Sequence, residues 1–213
     1  MTDPETFIAT HTEPGRAPLV PEFELALATE ITPIWLATED WLARTGIEPP
    51  FWAFAWPGSQ ALARHFLDHP ETVAGKRVLD FAAGCGLAAL AALSAGARSA
   101  EAADIDPLAQ AATRLNAARN HLALTVSGDL VGSPCRWDLI VCGDVCYEKP
   151  MTTHILPWLR TLARTAEVWI ADPGRAYLPH TGMTEFTHTT VPTTTELEDT
   201  PSRTVRLFRL QSA

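Results

Sequence analysis

The apolar positions of this chain change rhythm near Gly75. Downstream, short continuous apolar runs alternate with longer Ala/Leu-rich stretches, as βαβ units of a parallel sheet require. Arg77-Val78-Leu79-Asp80 reads as a buried strand, Leu87–Ala95 as a helix and Ala100–Ala103 as a second strand. Gly96 stands where a glycine ends a helix, since glycine turns left-handed without a Cβ clash. Asp106-Pro107 opens the next helix, which runs to about Arg119. The acid accepts free N–H groups, and proline removes an N–H that the first turn leaves unbonded. Ala123–Val126 is a third strand, Asp138–Cys142 a fourth and Glu167–Ala171 a fifth. The fourth is continuous enough to be covered on both faces. Thr152–Arg164 reads as a helix in spite of Pro157.

The two ends follow other rhythms. Phe186–Leu197 and Thr204–Leu210 are Thr/Val-rich with no helix between them, and predict an antiparallel hairpin on the sheet edge. Five βα units and a hairpin outline a Rossmann-like α/β fold: a seven-stranded, mostly parallel sheet with helices on both faces. Upstream, residues to about Val20 are rich in Pro, Thr and charge and read as a loose tail. Phe23–Gly46, interrupted by Pro33, predicts no definite element. Pro49–Gly58 is a Pro-bounded aromatic run, and Ser59–Asp68 a helix. The chain therefore divides into an N-terminal extension, 1–48, partly loose, and a domain, 49–213.

Composition narrows the function classes. A chain of 213 residues, 46% hydrophobic and 19% charged, fits one soluble globular unit. Its net charge of −9 repels phosphate backbones and argues against nonspecific nucleic-acid binding. Cys85, Cys135, Cys142 and Cys146 form no paired metal spacing and predict free thiols in a reducing cytosol. The first residues carry neither an apolar core nor an Arg-rich pattern, and no apolar run is long enough for a bilayer, so the expected location is cytoplasmic and off the membrane. His65 and His69 lie four apart on a helix, but no third ligand stands out and no metal is expected.

The chemistry concentrates after the first regular strand. Val78-Leu79-Asp80-Phe81-Ala82-Ala83-Gly84-Cys85-Gly86 delivers a strand into a small-residue turn that opens a helix. Such a turn lets a ligand approach the backbone and presents free N–H groups. Asp104 ends the next strand, where a carboxylate accepts both hydroxyls of a ribose. Gly84-Cys85-Gly86 alone also suits a nicotinamide dinucleotide, and Asp104 alone also suits a turn. Asp80 and Asp129 tilt the reading to S-adenosylmethionine. Asp80 suits a cationic methionine end and opposes a pyrophosphate, while Asp129, after the third strand, can accept from an adenine amino group. Past the fourth strand, Asp144 and Tyr147 sit at the crevice edge with the spacing of an acceptor-positioning pair. Val145-Cys146 stands where enzymes methylating adenine or glutamine nitrogen carry two prolines, which disfavours that chemistry.

From about Pro50 to Arg175 the chain resembles the electron transfer flavoprotein beta subunit lysine methyltransferases, a family of seven-β-strand protein lysine methyltransferases. The resemblance rests first on Phe51-Trp52-Ala53, Trp56-Pro57-Gly58 and Gln60-Ala61-Leu62, then on Gly75-Lys76, Val78-Leu79-Asp80, Gly84-Cys85-Gly86 and Asp104-Ile105-Asp106-Pro107. It continues through Trp137-Asp138-Leu139, Gly143-Asp144, Tyr147 and Asp172-Pro173-Gly174-Arg175. The Trp-Pro-Gly-x-Gln and Asp-Pro-Gly-Arg segments are the specific ones. The resemblance implies a protein lysine as acceptor, with the flavoprotein beta subunit as lead substrate. It implies that Trp56 lies over the cofactor, that Ile105 and Gly143 join its binding set, and that Asp144 and Tyr147 face the acceptor. Arg175 is either a substrate contact or a turn residue. Ala82 replaces the family's usual glycine, an exchange that fits a negative φ. Methylation of another protein (a ribosomal one, for instance) or of a small molecule, and a non-catalytic Rossmann-like module, are the alternatives.

Overall fold

The computed structural model describes residues 4–28 and 50–212. Most of the indefinite Phe23–Gly46 stretch, Trp35 and Trp41 included, lies outside the described residues. One sheet organises the rest. Its strands are β3 (Arg77–Phe81), β4 (Ser99–Ala103), β5 (Thr125–Ser127), β6 (Leu139–Gly143), β7 (Glu167–Asp172), β8 (Met183–Pro192) and β9 (Ser202–Leu210), ordered β5-β4-β3-β6-β7-β9-β8. The first five are parallel, and β9 enters antiparallel between β7 and the edge strand β8. This is the predicted α/β fold, hairpin included. The hairpin connection differs in one respect: it contains a short helix, Thr195–Glu198, where the Thr/Val-rich sequence predicts none.

Side chains of the central strands alternate between two cores, as the pleat demands. Val78, Leu139, Val141, Trp169 and Ala171 face one core, which holds Leu62 and Phe66 of α2 (Pro57–Asp68) and Leu87 and Leu90 of α3 (Leu87–Ser94). Leu79, Ile140, Cys142, Val168 and Ile170 face the other. There they meet Ile155, Trp158, Leu159 and Leu162 of the helix Lys149–Leu162 (α5). The helix between β4 and β5, α4 (Pro107–Arg119), begins as its sequence predicts: the Asp106 side chain caps the Leu108 N–H at 2.8 Å. Pro157 sits inside α5 without ending it.

The expected loose tail is instead ordered. Pro4–His11 is a helix (α1), and Glu13–Ala17 (β1) pairs antiparallel with Val20–Leu27 (β2). Ala17, Val20, Phe23 and Leu25 enter the same core as α2 and α3, and that burial outweighs the tail's polar composition. Asn116 and Asn120 of α4 complete the attachment. Asn116 Oδ1 accepts the Ala26 N–H at 2.7 Å, and Asn120 bonds both backbone groups of Glu24. Among the described residues, no helix is long and apolar enough to cross a membrane.

Candidate active site

Strand order places the candidate residues along one edge. From β3 the chain moves to β4 on one side, whereas β6 lies on the other, so a crevice opens beyond the carboxyl ends of β3 and β6. The loop after β3 fills one side of it. Gly84 and Gly86 have φ of 54° and 77°, the left-handed region that favours glycine. A Cβ on Gly86 would also strike the Thr113 side chain at 2.7 Å, whereas one on Gly84 meets nothing nearer than Trp52 Cα at 3.9 Å. Gly84 thus leaves room beside the loop. Ala82 departs from expectation: its φ is +56°, not negative. The turn that brings Ala83 N–H to the Ala103 carbonyl at 3.1 Å imposes this conformation.

The acids of the loop have unequal settings. Asp104 is half-buried, and its Oδ2 accepts the Gly84 N–H at 2.9 Å while Oδ1 accepts that of Asp106 at 3.0 Å. Burial raises its pKa against those hydrogen bonds. Asp80 lies deeper; its Oδ2 accepts the Ala89 N–H at 3.0 Å, and burial pushes its carboxyl up to about 8. Ile105, next to Asp104, is 78% exposed, unusual for so apolar a side chain. Asp129 follows β5 and caps the Val131 N–H at 2.9 Å. Asp80, Gly84, Gly86, Asp104, Ile105 and Asp129 therefore belong to one edge of three adjacent strands.

Past β6 lies the segment expected to face the acceptor. Gly143 ends β6, and a Cβ there would lie 2.7 Å from Ser59 N, so its glycine is required by the close approach of α2. Asp144 has φ +58° and is buried. Its Oδ2 accepts the Gly58 N–H at the start of α2, and its Oδ1 accepts Nε and Nη2 of Arg175 at 2.9 and 2.6 Å. Both carboxylate oxygens are thus engaged inside the protein. Burial raises the Asp144 pKa to about 6 against the pull of Arg175. Arg175 in turn reaches Glu198, so it is more than the turn residue or substrate contact expected of it.

Aromatic rings close the gap between the two sides. The Phe51 ring lies 5.3 Å from that of Tyr147 and 5.9 Å from that of Trp56. Phe51 and Tyr147 are both exposed. Trp56 is fixed by its own Nε1–H, which donates to the Phe51 carbonyl at 2.7 Å. The Arg175 guanidinium stands 5.7 Å from the Trp56 ring centre.

A relative from Danio rerio, named electron transfer flavoprotein beta subunit lysine methyltransferase, is 40% identical over 180 residues, covering 82% of this chain and 69% of its own length. The protein of that name from Xenopus laevis is 42% identical over 180 residues, covering 82% of this chain and 72% of itself. This chain belongs to that family. The family model for ribosomal protein L11 methyltransferase (PrmA) matches residues 61–144 of the methyltransferase. Its fold is that of magnesium protoporphyrin IX methyltransferase (ChlM) from Synechocystis PCC 6803, solved with bound SAH: the TM-score is 0.50 at 16% identity, over 68% of this chain and 79% of that one.

Several residues of the site carry little or no signal in the sequence. Phe51 gives an aromatic signal without a role, and Glu198 and Arg203 give none, because they lie far along the chain in the hairpin. Gln60, part of the specific Trp-Pro-Gly-x-Gln segment, proves to be structural. Its Oε1 accepts the Leu19 N–H at 3.1 Å, and its Nε2 donates to the Ala55 carbonyl at 2.6 Å. It ties the N-terminal hairpin to the aromatic run.

Proposed function

We propose that the enzyme transfers methyl groups from S-adenosylmethionine to lysine ε-amino groups of a protein, with the electron transfer flavoprotein beta subunit as lead substrate, in the cytoplasm. The observation that carries this reading is the aromatic bridge of Phe51, Trp56 and Tyr147 between the glycine loop and Asp144. An elongated alkylamine suits such a lining: its stem is apolar, and its cationic head is attracted to ring faces. The names of the relatives supply the identity of the protein that carries the lysine.

The loop residues fit the cofactor. Open space beside Gly84, an acid at the β4 end and an exposed Ile105 match a small backbone cradle, a ribose and an apolar base. Asp104 would hold the ribose, Asp129 the adenine amino group, Asp80 the positively charged methionine end, and Ile105 and Trp56 would cover the ligand. S-adenosylmethionine supplies a methyl group on positively charged sulfur, already activated for attack by an amine. The protein's main contribution is therefore proximity and orientation. Lysine arrives mostly charged, its unperturbed pKa being near ~10.4. Once the substrate covers the rings of Phe51, Trp56 and Tyr147, water would leave the amine's surroundings, and desolvation beside a cation favours the neutral, nucleophilic amine. Asp144, whose oxygens are engaged by Gly58 and Arg175, orders the acceptor end of the crevice rather than serving as an obligatory base.

Incubation with labelled S-adenosylmethionine and purified flavoprotein beta subunit, followed by peptide mass spectrometry, tests the reading. Methyl-lysine in the subunit is expected; label elsewhere in a proteome extract, with the subunit unmodified, would overturn it. Ribosomal protein L11 belongs in the same assay, because its methyltransferase model matches residues 61–144.

A further inference from the structure

The methyl-transfer chemistry assigns nothing to the C-terminal hairpin, yet the hairpin reaches the acceptor side. Glu198 ends the short helix between β8 and β9, and its side chain is 1% exposed. Its Oε2 accepts Arg175 Nη1 at 3.1 Å and Arg203 Nε at 3.0 Å, and its Oε1 accepts Arg175 Nη2. The Glu198 carbonyl accepts Arg203 Nη2 at 2.9 Å. All three nitrogens of the Arg175 guanidinium are consequently engaged, with Asp144 on one flank and Glu198 on the other. Asp172 fixes the base of this arm, its Oδ1 accepting the backbone N–H groups of Gly174 and Arg175 at 2.7 and 2.6 Å.

A buried carboxylate between two guanidiniums is costly to desolvate, so stability alone is a weak reason for its presence. What it does here is geometric. With Asp144 as its sole partner, the planar guanidinium could pivot about that contact; a second carboxylate removes the freedom. The constraint passes through Arg175 to Asp144, which holds the start of α2, and to the ring of Trp56.

We propose that Glu198 is a positioning residue for methyl transfer: from the hairpin it locks Arg175 against Asp144 and Trp56 and so completes the acceptor side of the crevice. The inference rests on the reading that the acceptor lysine enters along Phe51, Trp56 and Tyr147. A misplacement of about 1 Å at an aligned site costs on the order of a hundredfold in rate, so loss of the lock falls on kcat.

The test compares the unmodified enzyme with Glu198→Gln, which keeps size and removes charge, and with Arg203→Met, which removes the cation that steadies Glu198. Steady-state rates on the flavoprotein beta subunit are expected to show kcat about tenfold or more lower for Glu198→Gln, with smaller loss for Arg203→Met. KM for the subunit and the calorimetric Kd for S-adenosylhomocysteine should stay within about twofold, because neither the outer surface nor the glycine loop is touched. In ¹⁵N NMR spectra, the Arg175 Nε–H should be protected from solvent exchange in the wild type and exchange faster in Glu198→Gln. Unchanged kcat, an unchanged Arg175 signal, or a parallel loss of kcat, cofactor affinity and melting temperature would each overturn the proposal. A wild-type enzyme inert toward the subunit overturns the substrate reading alone, and the Arg175 exchange still decides whether Glu198 holds the guanidinium.

Discussion

Burial sets the proton affinity of Asp80, the acid proposed to meet the methionine end of the cofactor. Its carboxyl, pushed up to about 8, is mostly protonated in the free protein near neutrality. A cation bound beside it favours the ionised form, so binding below that pKa releases a proton. Affinity for S-adenosylmethionine is therefore expected to rise with pH, by at most tenfold per unit, as pH climbs toward about 8, and to level off above it. Calorimetry in buffers of different ionisation enthalpy should detect the released proton, and Asp80→Asn should abolish it. Ala82 makes the opposite point, a local cost that its own side chain does nothing to offset. An L-residue in the left-handed region loses roughly 1–2 kcal/mol, and glycine recovers part of it. Ala82→Gly should stabilise the protein by about 1 kcal/mol in urea unfolding, after the larger unfolded-state entropy of glycine is counted.

Elements meet at this site through missing side chains. Gly58 of α2 and Gly143 of β6 lie where helix and sheet approach so closely that a Cβ on either would come within 2.7 Å of backbone atoms on the facing side. Backbone cannot step aside as a flexible side chain can. Gly143→Ala is expected to destabilise by about 1–3 kcal/mol through overpacking, read as a lower urea midpoint. The same substitution displaces the Gly58 N–H from Asp144, so acceptor turnover should fall further than cofactor affinity. This pairing also explains why Trp-Pro-Gly is more than a ring beside a turn. Pro57 starts the helix at its first turn, and Gly58 lets that helix touch the sheet.

Across the whole molecule, both chain ends close around the central sheet. The C-terminal hairpin delivers Glu198 to Arg175, and the N-terminal hairpin is stitched to α4 and α2 by Asn116, Asn120 and Gln60. Asn116 is fully buried and also donates to the Cys85 carbonyl at 2.9 Å, so one side chain links β2, α4 and the glycine loop. Asn116→Ala leaves the Ala26 N–H without that partner and should cost about 1–3 kcal/mol. Hydrogen exchange should then open first in β1 and β2. Weaker S-adenosylhomocysteine binding is expected alongside, because the Cys85 carbonyl lies in the glycine loop proposed to hold the cofactor.

The alternating strands, the capped helix at Asp106 and the acids at successive strand ends were determined by the sequence alone. Their causes are local: period-two burial, unbonded N–H groups at a helix start, and the need of a tight turn for small residues. The resemblance through Trp56-Pro57-Gly58 and Asp172-Pro173-Gly174-Arg175 carried the family by the same residues. Tertiary structure decided what depends on distant segments. The polar tail became a packed hairpin because partners on α4 and in the core accept its backbone and apolar side chains. Asp144 became the centre of a buried ion network because Arg175 and the start of α2 converge on it across the sheet edge. Glu198, in a Thr-rich stretch with no signature of its own, gained its place only when β9 returned beside β7. Electrostatic and hydrogen-bond partners of that kind are set by three-dimensional proximity, to which hydrophobic periodicity is blind.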